Sequence, residues 1–284
     1  MKRLTLALLT FLPQFAHAHE HLAAGSASTT PGAPLVFVNA VDYAADTGFV
    51  FNLAAGTTND AYAGYYYTGD LVFAALAATP PFGGPEPDHA ALGAHIEVVL
   101  ETVEGPPGGS FGFWETAVDD VDSTNLTWSV PVGLTGGTNQ IAVSETDGSP
   151  DADPYGHKHG RIYSATVPGF YRVGFRFVDT STNGPNGGPI HASSERFFLN
   201  FQADVTIASL ATTTEGVSIT FAAPSNLPDS GVGPATSYTV EGSQTLGPMA
   251  LWSQVADPIV GDDHVHSVIV PPTGTARFFR LRAD

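Results

Sequence analysis

The sequence predicts an all-β protein built as two β-sandwich domains in tandem, and three observations carry that expectation. Gly and Pro supply 31 and 22 of the 284 residues, which punctuates the chain too often for long helices. Charged residues make up only 13%, against the ~25% of ordinary soluble domains, and small, hydroxyl and aromatic residues take their place. Short apolar runs alternate with a period of two and recur between turn signals, which is the pattern of half-buried strands. With 18 Phe, 9 Tyr and 3 Trp there is enough apolar bulk to fill a core.

The elements follow in chain order. Residues 1–18 read as a secretory signal peptide: Lys2 and Arg3 give the positive start, Leu4 to Phe15 the apolar stretch, and Ala16-His17-Ala18 the small-x-small cleavage pattern. The apolar stretch is too short to anchor a stable membrane span, so the mature chain is expected to start at His19 and to be secreted or periplasmic. Residues 19–34 are expected to be a flexible leader, because Ala23 to Pro34 consists of small and turn-forming residues. Residues 35–203 form the large sandwich. Its expected strands are Leu35 to Val38, Gly48 to Ala54, Leu71 to Ala77, His95 to Val103, Gly112 to Trp114, Leu126 to Val130, Gly160 to Thr166, Gly169 to Asp179 and Ser194 to Ala203. Short helical turns are expected only within Asp88 to Gly93 and Asp119 to Ser123. Alternation is cleanest at Ile96, Val98 and Leu100 and at Tyr171, Val173, Phe175 and Phe177, so one face of each strand is buried. A new strand series begins after Asp204, making residues 204–284 a second sandwich. Its segments Tyr238-Thr-Val-Glu-Gly-Ser, Leu251-Trp252-Ser and Phe278-Phe279-Arg280-Leu281 resemble fibronectin-type-III-like modules, which implies core roles for Trp252 and the closing aromatics.

Charge and composition exclude several functions. A net charge of −18 argues against nucleic-acid binding, which needs clustered Lys and Arg, and against anionic lipid. With no Cys, disulfides and thiolate metal sites are excluded. There is no second apolar stretch of spanning length, so no membrane insertion is expected once the signal is removed. Hydrolase signatures are missing: there is no Gly-x-Ser-x-Gly elbow and no His-Glu-x-x-His helix.

The histidines are the main chemical signal. Beyond the signal segment with its His17, they fall as His19-x-His21, His89, His95, His157-x-His159, His191 and His264-x-His266. On a strand, residues two apart project to one face, so a His-x-His pair offers two imidazoles to one ion, and neutral imidazole ligates zinc and copper. A chain without Cys must complete such a site with His and carboxylates. The expected metal site is His95, His157, His159 and His191, with His89 or Glu97 completing the shell. His157 and His159 stand out because Asp153-Pro154-Tyr155-Gly156 sets a turn directly before a strand. The pair His264-x-His266 lies in the second module and is expected to be peripheral.

Four segments of the large domain also carry a resemblance. They are Pro106 to Glu115 (PPGGSFGFWE), Asp153 to Arg161 (DPYGHKHGR), Val167 to Phe175 (VPGFYRVGF), and Asp179 to Gly184 with Gly188-Pro-Ile-His191. Together they are similar to exported bacterial proteins of the PEP-CTERM-associated, zinc-regulated kind and their surface-anchored relatives. The likeness covers roughly residues 35 to 203, and the sorting tail of those relatives is missing here, replaced by the second module. It implies an all-β fold and a link to zinc homeostasis without catalysis, and it places His157, His159 and His191 inside shared motifs.

The expected function is therefore that of an exported, non-catalytic protein that captures or buffers zinc in the cell envelope, its partner being the divalent metal ion. Two alternatives come from other features. A mature start at His19-Glu20-His21 suits copper, through the α-amine and imidazole, and copper-dependent oxygenases are β-sandwiches that begin with His. Tyr65-Tyr66-Tyr67 with Trp114 offers a sugar-stacking platform for a carbohydrate-binding or adhesive module.

Overall fold

The computed structural model describes residues 20–56, 62–115, 126–225, 237–272 and 278–283. The signal segment, His19 and the turn expected at Asp119 to Ser123 lie outside the described residues. The chain is all-β, with short helical turns only at α1 (Ala40–Tyr43) and at Ala45–Thr47 and Pro185–Gly187 among the described residues.

The large domain comprises β1 (Glu20–Ser26), β2 (Leu35–Phe37), β3 (Val50–Ala55), β4 (Tyr66–Thr68), β5 (Leu71–Ala75), β6 (Ile96–Glu104), β7 (Ser110–Trp114), β8 (Trp128–Pro131), β9 (Thr135–Ala142), β10 (Gly156–His157), β11 (Ile162–Ala165), β12 (Gly169–Asp179) and β13 (Phe197–Ala203). A four-stranded sheet of order β10-β5-β1-β2 lies over a nine-stranded sheet of order β8-β7-β11-β4-β3-β13-β12-β6-β9. The aromatic residues make the seam: Phe73 of the small sheet meets Phe175 and Phe177 of the large one at ring distances of 5.4 and 5.9 Å. Tyr171, Val173, Phe175 and Phe177 face inward as the alternation of β12 requires. On β6 the register shifts opposite Gly174/Phe175, so that Leu100 and Val103 both reach the core and Glu101 turns outward.

The N-terminal segment corrects the sequence reading. Residues 20–26 are not a flexible leader: β1 runs parallel to β5 and antiparallel to β2, and the N–H of Glu20 donates to the carbonyl of Asp70 at 2.6 Å. Leu22 and Ala24 are fully buried. The small residues that suggested a tether are there for close packing. A Cβ on Gly25 would lie 2.2 Å from the carbonyl oxygen of Asp88, so the backbones can meet only at glycine. Two further differences are local. Strand β9, whose sequence TGGTNQIA shows no alternation, forms by pairing with the edge of β6. Asp88 to Gly93 is a series of turns and not a helix.

The second unit has its own core of Ile219, Phe221, Ala223, Tyr238, Val240 and Val270. Its strands are β14 (Ile207–Thr213), β15 (Gly216–Ala223), β16 (Ser237–Ser243), β17 (Ser253–Gln254), β18 (Ile259–Val260), β19 (His264–Val270) and β20 (Phe278–Ala283). They form two sheets, β14-β15-β19 and β17-β16-β18 with β20 also on β16. Leu251 and Trp252 precede β17, and the Trp252 ring lies under the Arg280 guanidinium at 4.6 Å. Backbone bonds strap the two units together: Val50 N–H donates to Asp263 at 2.7 Å, and Val265 N–H to Gly48 at 2.8 Å.

Because Leu22 is enclosed between the sheets, Leu22→Ala should lower unfolding stability by about 2–5 kcal/mol in denaturant titrations. A leader without structural role would leave stability within about 0.5 kcal/mol of the parent.

Candidate functional site

The small sheet brings three imidazoles together. His21 on β1 pairs in register with Val72 of β5, and His157 on β10 pairs with Ala74 on the other side of β5. The two histidines flank the same central strand, on the face opposite Leu22 and Phe73. Ala23 and Ala74 on that face are small, which leaves the rings room to lean across β5. The Nε2 atoms of His21 and His157 stand 2.9 Å apart. His159 adjoins both, with ring centroids 4.2 Å from His157 and 6.4 Å from His21. Two bare imidazole nitrogens repel at 2.9 Å, so the contact requires a proton or a cation between them.

The loop that carries His157 and His159 is held from several sides. Asp153 accepts backbone N–H bonds from Ala78 (3.1 Å), Thr79 (2.7 Å) and Tyr155 (2.9 Å), tying the loop to the segment after β5. Burial alone would raise the Asp153 carboxyl, but the bonds from Thr79, Ala78 and Tyr155 together outweigh it and hold the group below the usual carboxylate range. A Glu145 carboxylate oxygen takes the His157 N–H at 2.8 Å. Gly156 lets the strand approach its neighbour, since a Cβ there would sit 1.8 Å from the Val143 carbonyl oxygen. Lys158 stands between the two histidines in sequence. Burial first, then the Arg161 charge, pulls its ammonium below the ordinary lysine range, against the opposing carboxylates of Glu115, Glu145 and Glu97.

The other expected ligands are elsewhere, and the four-histidine site is corrected accordingly. His191 is 2% exposed and both its nitrogens serve the fold. Its Nδ1 meets Ser26 Oγ and the Ala33 carbonyl, both at 3.1 Å, and its Nε2 accepts the Ala91 N–H at 2.9 Å. Ser26 and His21 are at opposite ends of β1, roughly 16 Å apart along an extended strand. His89 turns its Nδ1 to the Ala90 carbonyl at 2.8 Å. His95 Nε2 lies 3.6 Å from Glu97, and its Nδ1 is buried without a hydrogen-bond partner. Glu97 accepts from Thr180 Oγ1 at 3.1 Å. His264 and His266 both turn to Asp262, at its carbonyl (2.6 Å) and its carboxylate (2.8 Å) respectively.

Sequence reasoning missed His21 as a partner of the His157 pair. The available signal was its own His-x-His spacing together with Leu22 and Ala24, which make β1 a half-buried strand. Among the described residues, no group of three or more His, Asp or Glu is arranged so that it could hold a metal ion. His21 and His157 meet through their Nε2 atoms at 2.9 Å, and the His159 ring lies beside them, so the three side chains here are all nitrogen donors. The aromatic segment does not form a flat platform: Trp114 is 3% exposed, donates to Ser164 Oγ at 2.9 Å, and meets Tyr65 edge-on at 90°.

No family model, curated protein or solved structure matches the chain.

The Asp153 staple yields a pH prediction. Its folded carboxyl titrates below its unfolded value, so its stabilisation is complete above the ordinary carboxylate pKa of ~3.9 and disappears as the pH falls through the depressed folded value. Asp153→Asn should lower the melting temperature at neutral pH, and the gap to the parent should close below about pH 4. A gap that is unchanged in acid would show that the charge on Asp153 is not what holds the loop.

Proposed function

We propose that the protein is an exported, non-catalytic metal-binding protein whose ligands are His21, His157 and His159, and that zinc is its ion. The observation that carries this reading is the meeting of the β1 imidazole with the His157-x-His159 pair. An all-nitrogen donor set favours zinc or copper over calcium and magnesium, which take oxygen ligands. His21 and His159 are exposed, so an ion held there exchanges readily with solution, as capture or buffering requires. The resemblance of residues 35 to 203 to zinc-regulated exported proteins supports the same ion, and the signal-like residues 1–18 support export.

One observation favours a second reading. Strand β1 is anchored from Glu20 onward, so a chain cleaved after Ala18 would begin one residue before a fixed strand. That arrangement suits a copper site that uses the terminal amine.

Zinc titrated against the melting temperature at neutral pH separates these cases. A ligand that binds only the folded state stabilises by RT ln(1 + [L]/Kd), about 2.7 kcal/mol at a hundredfold excess over Kd. The parent and the His264→Ala/His266→Ala variant should show that gain, whereas His21→Ala and His157→Ala/His159→Ala should lose most of it. The gain should also shrink as the pH drops below the ordinary imidazole range, because protons compete for the same nitrogens. Equal stabilisation of all variants would refute the site. A copper effect abolished by one extra residue ahead of His19, with zinc indifferent in every variant, would establish the second reading instead.

A further inference from the structure

The basic residues of this acidic chain are not evenly spread. Arg172, Arg176 and Arg196 share the outer face of β12 and the start of β13, opposite the aromatic seam. Between that face and the 40–47 segment lies a cavity of about 570 Å³, walled by Ala40, Val41, Ala44, Arg172, Arg196 and Phe198 among others. Its volume is in the range of small-molecule sites.

The two arginines have donors to spare. The Arg172 guanidinium lies on the Phe198 ring, 3.5 Å from its centroid, and among the described residues its one hydrogen bond is a long 3.5 Å contact to the exposed Glu104. Arg196 uses its Nε for Glu101 at 2.5 Å, and among the described residues its terminal nitrogens have no partner. Glu101 is already shared with Arg176 at 2.8 Å, so it neutralises at most part of this positive charge. The stacking on Phe198 fixes the Arg172 plane, and a fixed guanidinium plane is preorganised for a two-oxygen acceptor. Opposite the arginines the wall is aliphatic, and Val41 is 83% exposed at the rim, an apolar surface without an intramolecular partner. Asp46 is the one acidic residue of the lining.

We infer that this cavity binds a small organic monocarboxylate, with Arg172 and Arg196 taking the carboxylate and the Val41 wall taking the apolar body. A monoanion is favoured over a phosphate dianion because the molecule's net charge of −18 repels each added negative charge. The inference does not depend on the metal reading and involves none of its residues.

The test uses the full chain without added metal, titrated with benzoate and with glucuronate by isotope-edited NMR, and with inorganic phosphate as the dianion control. At least one carboxylate should saturate with a Kd near or below about 1 mM and should shift the amides around Val41 and Phe198. Arg172→Gln should weaken it by about tenfold, the worth of one charge-assisted hydrogen bond. Since Arg196 also pairs with Glu101, the exposed Val41 gives a probe that leaves the fold alone: Val41→Ser should weaken binding by removing the apolar wall, and Val41→Glu should weaken it further by adding a negative charge. The proposal is overturned if neither carboxylate saturates by about 10 mM, if the Val41 variants bind alike, or if phosphate binds as well as the carboxylates.

Discussion

The placement of β1 between β5 and β2 is the constraint on which the rest depends. That one strand completes the small sheet, seals the aromatic seam with Leu22 and Ala24, and presents His21 on the same face of β5 as His157, which approaches from the opposite edge. Parallel pairing with β5 allows this. It runs His21 and Ser26 to opposite ends of the strand, so the exposed imidazole cluster and the buried His191 anchor are separate structures built on one element. A parallel partner needs a long connection, and residues 27–70 supply it by passing through both sheets before returning as β5.

The two histidine environments show how the same side chain is put to opposite uses. His191 is sealed in, with a donor or acceptor facing each ring nitrogen, and it secures the 88–91 turns and the 26–34 segment against the sheet. His157 and His159 stand on a loop fixed at its base by Asp153 and Glu145 while their rings face outward. Rigid backbone beneath exposed imidazoles would reduce the ordering cost of taking up the proposed ion. In the second unit, His264 packs against Phe49 at 5.9 Å beside the backbone strap, so that pair belongs to the junction between units.

Much of the fold was legible in the sequence, because the evidence for it is periodic. The alternation in β6 and β12 fixes which face is buried, and the restart after Asp204 coincides with a second core. What escaped was non-local. Strand β9 carries no apolar alternation of its own and exists because β6 offers an unpaired edge. Strand β1 is made of residues small enough to look like a linker, and their purpose shows only when Asp88 is seen against Gly25. The turn chemistry around Asp153 singled out His157 and His159, and the structure places their rings side by side. That turn chemistry gave no means of knowing that the third ring comes from β1 and that His191 is spent on hydrogen bonds to distant backbone.

If β1 contributes an imidazole to a shared ion, zinc K-edge absorption of the zinc-loaded protein reads that imidazole in the ligand shell. Three imidazole nitrogens at about 2.0–2.1 Å are expected, falling to two in His21→Ala. A shell of oxygen ligands alone, or one that His21→Ala leaves unchanged, would contradict a ligand from β1.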